Sequence, residues 1–136
     1  METARTIYKG DLRTEALHVR SGVKIITDAP PDNQGRGEFF SPTDLVATAL
    51  GSCMITIMGI AARTHGFNID GTEAVITKVM TSNPRRIGEI IITFNFPDIP
   101  YSEKQKEIIE KAGLTCPVAL SLHPELKQSI TFNFRR

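Results

Sequence analysis

Residues 41–62 run Ser41-Pro42-Thr43-Asp44-Leu45-Val46-Ala47-Thr48-Ala49-Leu50-Gly51-Ser52-Cys53-Met54-Ile55-Thr56-Ile57-Met58-Gly59-Ile60-Ala61-Ala62. Ser41 is a good N-cap, Pro42 suits the first helical position, and Asp44 favours the positive end of the helix macrodipole. The pattern predicts a helix from Pro42 to about His65, stopped by Gly66, with Arg63 and His65 in its last turn. No charged residue occurs for 18 positions from Leu45 to Ala62, the length at which a transmembrane reading begins. Two Gly, two Thr, one Ser and one Cys dilute that run, and no cluster of Lys or Arg marks either end. A helix apolar on every side also suits the centre of a soluble fold, so no membrane association is expected.

Before this helix the chain reads as strands. Leu17 and Val19, then Val23 and Ile25, alternate with polar neighbours about a tight turn at Ser21-Gly22. Residues 28–37 carry two prolines, two glycines and an Asp-Asn pair, a loop long enough to suggest function. Glu38-Phe39-Phe40 leads into the helix. After it, residues 74–80 are β-branched, and in residues 89–96 Ile90, Ile92, Phe94 and Phe96 alternate with Ile91, Thr93 and Asn95. Residues 102–111 predict a capped, charged-faced helix ending near Gly113. A short helix opens at Thr115-Cys116-Pro117-Val118, capped by Thr115 or Cys116, and Ile130, Phe132 and Phe134 mark a last strand. No repeat or linker divides the chain. The expectation is α+β, with residues 1–136 forming a single domain.

Composition narrows the function classes. The 136 residues hold 16 Lys plus Arg against 15 Asp plus Glu, a net charge of +1, which gives no long-range field for a phosphate backbone. No nucleic-acid partner is expected. Residues 1–10 carry charges and no apolar core, unlike a secretory signal, and two cysteines make no disulfide scaffold; a reducing, cytoplasmic setting follows as the expectation.

The two cysteines are the chemistry-bearing residues. A cysteine within a helix such as Thr48–Thr56 is most often a small packing group. Cys116, in the first turn of a helix, meets free backbone N–H groups that favour its thiolate. The pair lies 63 positions apart with no Cys-x-x-Cys or Cys/His cluster, so no metal site is expected. His18, His65 and His123 are scattered, although a cysteine and a histidine can meet in space without being neighbours in sequence.

The run Phe40-Ser-Pro-Thr-Asp-Leu-Val-Ala-Thr-Ala-Leu-Gly-Ser-Cys-Met54, followed by Thr115-Cys-Pro-Val118, resembles the OsmC/Ohr family of osmotically induced and organic hydroperoxide resistance proteins. The order of strands, loop, cysteine helix, paired strands and second cysteine helix extends the likeness over nearly the whole chain. The resemblance implies antiparallel sheets around a long central helix carrying Cys53, and an intertwined homodimer with active sites at the subunit interface. It implies a peroxidase that reduces organic hydroperoxides, and hydrogen peroxide as a further substrate, without metal, haem or flavin. Cys53 would be the peroxidatic residue and Cys116 the resolving one, joined in a disulfide that a dithiol, lipoyl-type or other, reduces. A fold relative that binds a small apolar or thiol-reactive ligand in the same dimer pocket is the alternative; a cysteine transferase or hydrolase using His65 or His123 is a third.

The same resemblance implies an arginine near the thiol, oriented by a carboxylate from the start of the cysteine helix. Asp44 is the natural carboxylate, although other members carry the acid one residue earlier, where this chain has Thr43. Nine residues separate Asp44 from Cys53, roughly 180° around the helix and about 13 Å along it, so Asp44 cannot reach that thiol on its own helix. Its plainer role is that of a first-turn carboxylate. By rough alignment the arginine falls near residues 26–29, where no basic residue stands; Arg36 and, on the preceding hairpin, Arg20 are the candidates. Phe39 and Phe40 are candidates to wall an apolar substrate pocket, or to act as a hydrophobic staple.

Overall fold

The computed structural model describes residues 1–134. It divides into two compact units, Met1–Val46 and the segment from Ala47 onward.

In the first unit, β1 (Ala4–Gly10), β2 (Arg13–His18) and β3 (Lys24–Asp28) form one antiparallel sheet in that order. The expected turn joins β2 to β3: Gly22 takes φ +78, and the His18 N–H donates to the Val23 carbonyl at 2.8 Å. The turn between β1 and β2 is less regular. Asp11 and Leu12 both adopt left-handed φ, +54 and +64, a conformation that costs a bulky side chain about 1–2 kcal/mol. Offsetting bonds run from Leu12 N–H to the Tyr8 hydroxyl at 3.2 Å and from Ala29 N–H to the Leu12 carbonyl at 3.0 Å. The 28–37 loop contains a 3-10 turn at Pro31–Asn33 and closes on itself, so that a Cβ at Gly35 would lie 1.7 Å from the Ala29 carbonyl oxygen. Only glycine fits there.

Helix α1 (Pro42–Thr64) begins and ends as its sequence dictates. The Asp44 N–H donates to the Ser41 hydroxyl oxygen and the Ser41 N–H donates to the Asp44 carboxylate, each at 3.0 Å, a reciprocal cap. At the other end Gly66 takes φ +80 while Gly66 N–H bonds Arg63 O and Phe67 N–H bonds Ala62 O, the paired bonds of a glycine C-cap.

The second unit packs the body of α1 on a sheet. Its elements are β4 (Glu73–Thr81), β5 (Arg86–Asn95), α2 (Glu103–Gly113), α3 (Pro117–Ser121) and β6 (Lys127–Asn133), with the strands in the order β4-β5-β6. One expectation is corrected here: β4 and β5 are antiparallel, but β5 and β6 are parallel. Two helices lie between β5 and β6, and parallel neighbours require such a crossover. The α1 stripe Ala47, Leu50, Gly51, Met54, Met58 and Ala62 is buried. Gly51 permits the close approach, because a Cβ there would meet Ile76 Cδ1 at 2.6 Å. Facing it from β5, Ile90, Ile92 and Phe94, with Phe96 just beyond, are fully buried, the predicted alternation in its inward register. Helix α2 starts with a capping box between Ser102 and Gln105. Although α1 is long and apolar enough to cross a membrane by length and composition, only 33% of its apolar window is buried. Ile60 remains 57% exposed on the face opposite the stripe.

Candidate functional site

The second unit brings the two cysteines together. Cys53 sits on α1 three residues past Leu50, half-buried at the margin of the apolar core. Cys116 is 0% exposed. It lies where α2 has stopped and α3 begins, with Pro117 at the first helical position, and it is itself the N-cap: its Sγ accepts the Ala119 N–H at 3.3 Å. Of the two caps open on sequence grounds, the thiol fills the position, while the Thr115 hydroxyl turns back to the Lys111 carbonyl at 3.2 Å. Cys53 packs against the buried cluster that contains Cys116, and the two thiols influence one another electrostatically. Burial pushes the Cys116 thiol above its ordinary range; the Ala119 N–H opposes this and the Cys53 thiol adds to it. Both cysteines are free thiols, a buried protonated one against a more accessible one. That arrangement suits two-electron exchange between dithiol and disulfide.

A cavity of about 570 Å³ opens along the C-terminal half of α1, lined by Thr56, Ile60 and Arg63 of the helix and by Phe67, Ile69 and Asp70 beyond it. Thr56 and Ile60 follow Cys53 at spacings of three and seven residues, so they share its helical face. Among the described residues no cluster of three His, Cys, Asp or Glu side chains is placed to hold a metal ion. His65 and His123 are exposed and engaged locally, His65 Nδ1 with the Ala61 carbonyl at 2.9 Å and His123 Nδ1 with the Glu125 N–H at 3.0 Å.

The first unit holds a second organised group. Arg13 lies opposite Asp28 in the β2–β3 register. Arg13 Nε donates to Asp28 Oδ1 at 2.7 Å and Nη2 to Oδ2 at 2.9 Å, a bidentate pair, while Nη2 also reaches Glu38 Oε1 at 2.7 Å. The Asp28 side chain is 0% exposed and also accepts the Glu38 N–H at 3.2 Å. The Arg13 guanidinium holds the Asp28 carboxyl below its usual range against the cost of burial, and the two carboxylates raise the already high Arg13 value. The guanidinium lies 4.8 Å over the Phe39 ring.

The remaining sequence candidates all belong to the first unit. Asp44 is part of the helix cap. Arg36 is exposed and acts on the Asp28 carboxylate only through its field. Arg20 is exposed on the hairpin, and Phe39 and Phe40 are 45% and 55% exposed. Arg13 was missed because its acid partners stand 15 and 25 positions away. The signal was nevertheless present. Extending the hairpin register outward from the Ser21-Gly22 turn pairs position 13 with position 28.

The model of the OsmC-like protein family matches residues 35–131. Among solved structures, a Psychrobacter arcticus protein named for osmotic stress induction and a detoxification response is 51% identical, with 97% of this chain and 96% of that one covered at a TM-score of 0.92. An organic hydroperoxide resistance protein OsmC from Legionella pneumophila is 12% identical over 98% of both chains, with a TM-score of 0.76. A Vibrio cholerae organic hydroperoxide resistance protein with captopril in one of its active sites is 12% identical, covering 98% of this chain and 92% of that one, with a TM-score of 0.71. No curated protein matches the chain.

Proposed function

The chain belongs to the OsmC-like protein family, and from that premise we propose that it is a thiol peroxidase acting on organic hydroperoxides. The Cys53 thiolate attacks the peroxide O–O bond, taking one oxygen as a sulfenic acid and releasing the other as an alcohol after protonation. The Cys116 thiol then condenses with the sulfenic acid, forming a disulfide and one water, and an external dithiol returns both cysteines to thiols. The observation that carries this reading is the juxtaposition of two free thiols, one half-buried and one enclosed. The near-neutral chain charge and the apolar wall of Ile60, Phe67 and Ile69 suit an uncharged organic peroxide. Reduced protein mixed with cumene hydroperoxide is expected to lose two thiols and gain one Cys53–Cys116 bridge, read by thiol titration and peptide mass mapping. Oxidation no faster than that of free cysteine would sink the proposal. The cavity favours one other reading, small-molecule binding without turnover, as captopril occupies an active site of the Vibrio cholerae protein. Saturable binding without thiol loss would select it.

A further inference from the structure

We infer that a thiol reductant attacks the sulfur of Cys53, forming its mixed disulfide there, and that Cys116 is the sulfur that leaves. The inference rests on the disulfide reading above and adds the direction of recycling, which the pairing alone leaves open: a bridge between two cysteines offers two sulfurs to a nucleophile.

The surroundings of the two sulfurs differ. Thiol–disulfide exchange needs the incoming thiolate to approach one sulfur in line with the bond that breaks, so access decides which is struck. Cys116 is 0% exposed, and its sulfur is closed in by the first turn of α3, with Val118 and Ala119 packed against the core. Cys53 is only half-buried, on the helical face that Thr56 and Ile60 continue into the open cavity. An external thiol therefore meets Cys53.

The departing side is less one-sided, and access carries the direction. Burial alone would make Cys116 a poor leaving group, since a thiolate enclosed by apolar atoms is costly. In the reduced chain, however, its sulfur already accepts the Ala119 N–H at 3.3 Å. A sulfur returning to this position as a thiolate regains a donor that the fold holds in place, and Cys53 has no equivalent cap in the middle of α1.

The exchange balances in two steps. The reductant thiolate bonds to Cys53 Sγ and the Cys53–Cys116 bond breaks, its electron pair leaving on Cys116, which then takes a proton. The second thiol of the same dithiol next attacks the reductant's own sulfur. Cys53 is released as a thiolate, and the reductant departs as its cyclic or linked disulfide.

The test separates this direction from peroxidase activity by making the bridge with diamide, which accepts the two electrons and two protons of the thiol pair. The bridged full chain is exposed briefly to glutathione, quenched in acid, alkylated and mapped by mass spectrometry. Glutathione is expected on Cys53 and the alkyl group on Cys116, by about tenfold or more over the reverse, if access governs the attack. An even split or the reverse pattern overturns the inference, as does failure of diamide to bridge the pair. Inertness toward peroxide sinks only the peroxidase reading, because no peroxide enters this experiment. A second measurement avoids exchange after the first attack. Reduced Cys116→Ser, whose serine is a good helix cap, should react with dithionitrobenzoate about tenfold or more faster than reduced Cys53→Ser. Equal rates overturn the inference.

Discussion

Replacing Cys53 by serine is expected to lower hydroperoxide consumption by roughly 10³-fold or more, the scale on which loss of a nucleophile is felt in enzymes. A hydroxyl at this position has no accessible anion and cannot be carried to a sulfenic acid, so the first bond-making step is lost outright. Packing should survive, because Cys53 lies at the core margin and serine is smaller by little. Circular dichroism and thermal melting should thus match the parent while the rate of peroxide loss falls to the uncatalysed level. Cys116 should also stay reduced in this variant, because its 0% exposure leaves it without direct access to peroxide. A Cys53→Ser protein that consumes peroxide at the parent rate would remove the thiol from the chemistry.

The largest effect on stability is expected at Phe96. It is fully buried, stacks on Phe134 with ring centroids 4.4 Å apart at 15°, and meets Tyr101 edge-on at 6.1 Å. Truncation to alanine loses the transfer energy of the ring and leaves a cavity among Tyr101, Phe132 and Phe134, together about 3–5 kcal/mol. Against a typical total of about 5–15 kcal/mol, that is a large share of the stability. Denaturant titration should show a lowered midpoint; a change under about 1 kcal/mol would mean that the aromatic cluster relaxes to fill the space. Phe96→Leu, which keeps much of the volume, should lose far less.

Legibility of the fold followed the range of the interaction concerned. Helix α1 was readable from Ser41 to Gly66 because both caps and the apolar run are local. The hairpin at Ser21-Gly22 was readable for the same reason. Strand β1 was not, because it is exposed along nearly its whole length and so lacks an apolar face, and its turn places Leu12 at positive φ without a glycine or asparagine to announce it. The alternation of Ile130, Phe132 and Phe134 revealed a strand but not its direction. Whether β6 runs with or against β5 depends on how α2 and α3 return the chain. The cysteines could be found in the sequence by inspection, whereas their juxtaposition could not, since it joins positions 63 apart. Arg13 shows the same limit. Its role as the held guanidinium depends on a buried carboxylate that sequence order places across a turn.

The 63 positions between the two thiols have a consequence for the unfolded chain as well as for the site. A bridge between Cys53 and Cys116 would tie off α1, β4, β5 and α2 into one closed ring of backbone. In the chain-entropy description, such a ring disfavours the unfolded ensemble by about 4 kcal/mol. Each turn of the proposed cycle would then alternate the molecule between a linear polymer and a looped one. The resting, reduced form would be the more easily unfolded of the two, and the form awaiting reductant would be the more durable.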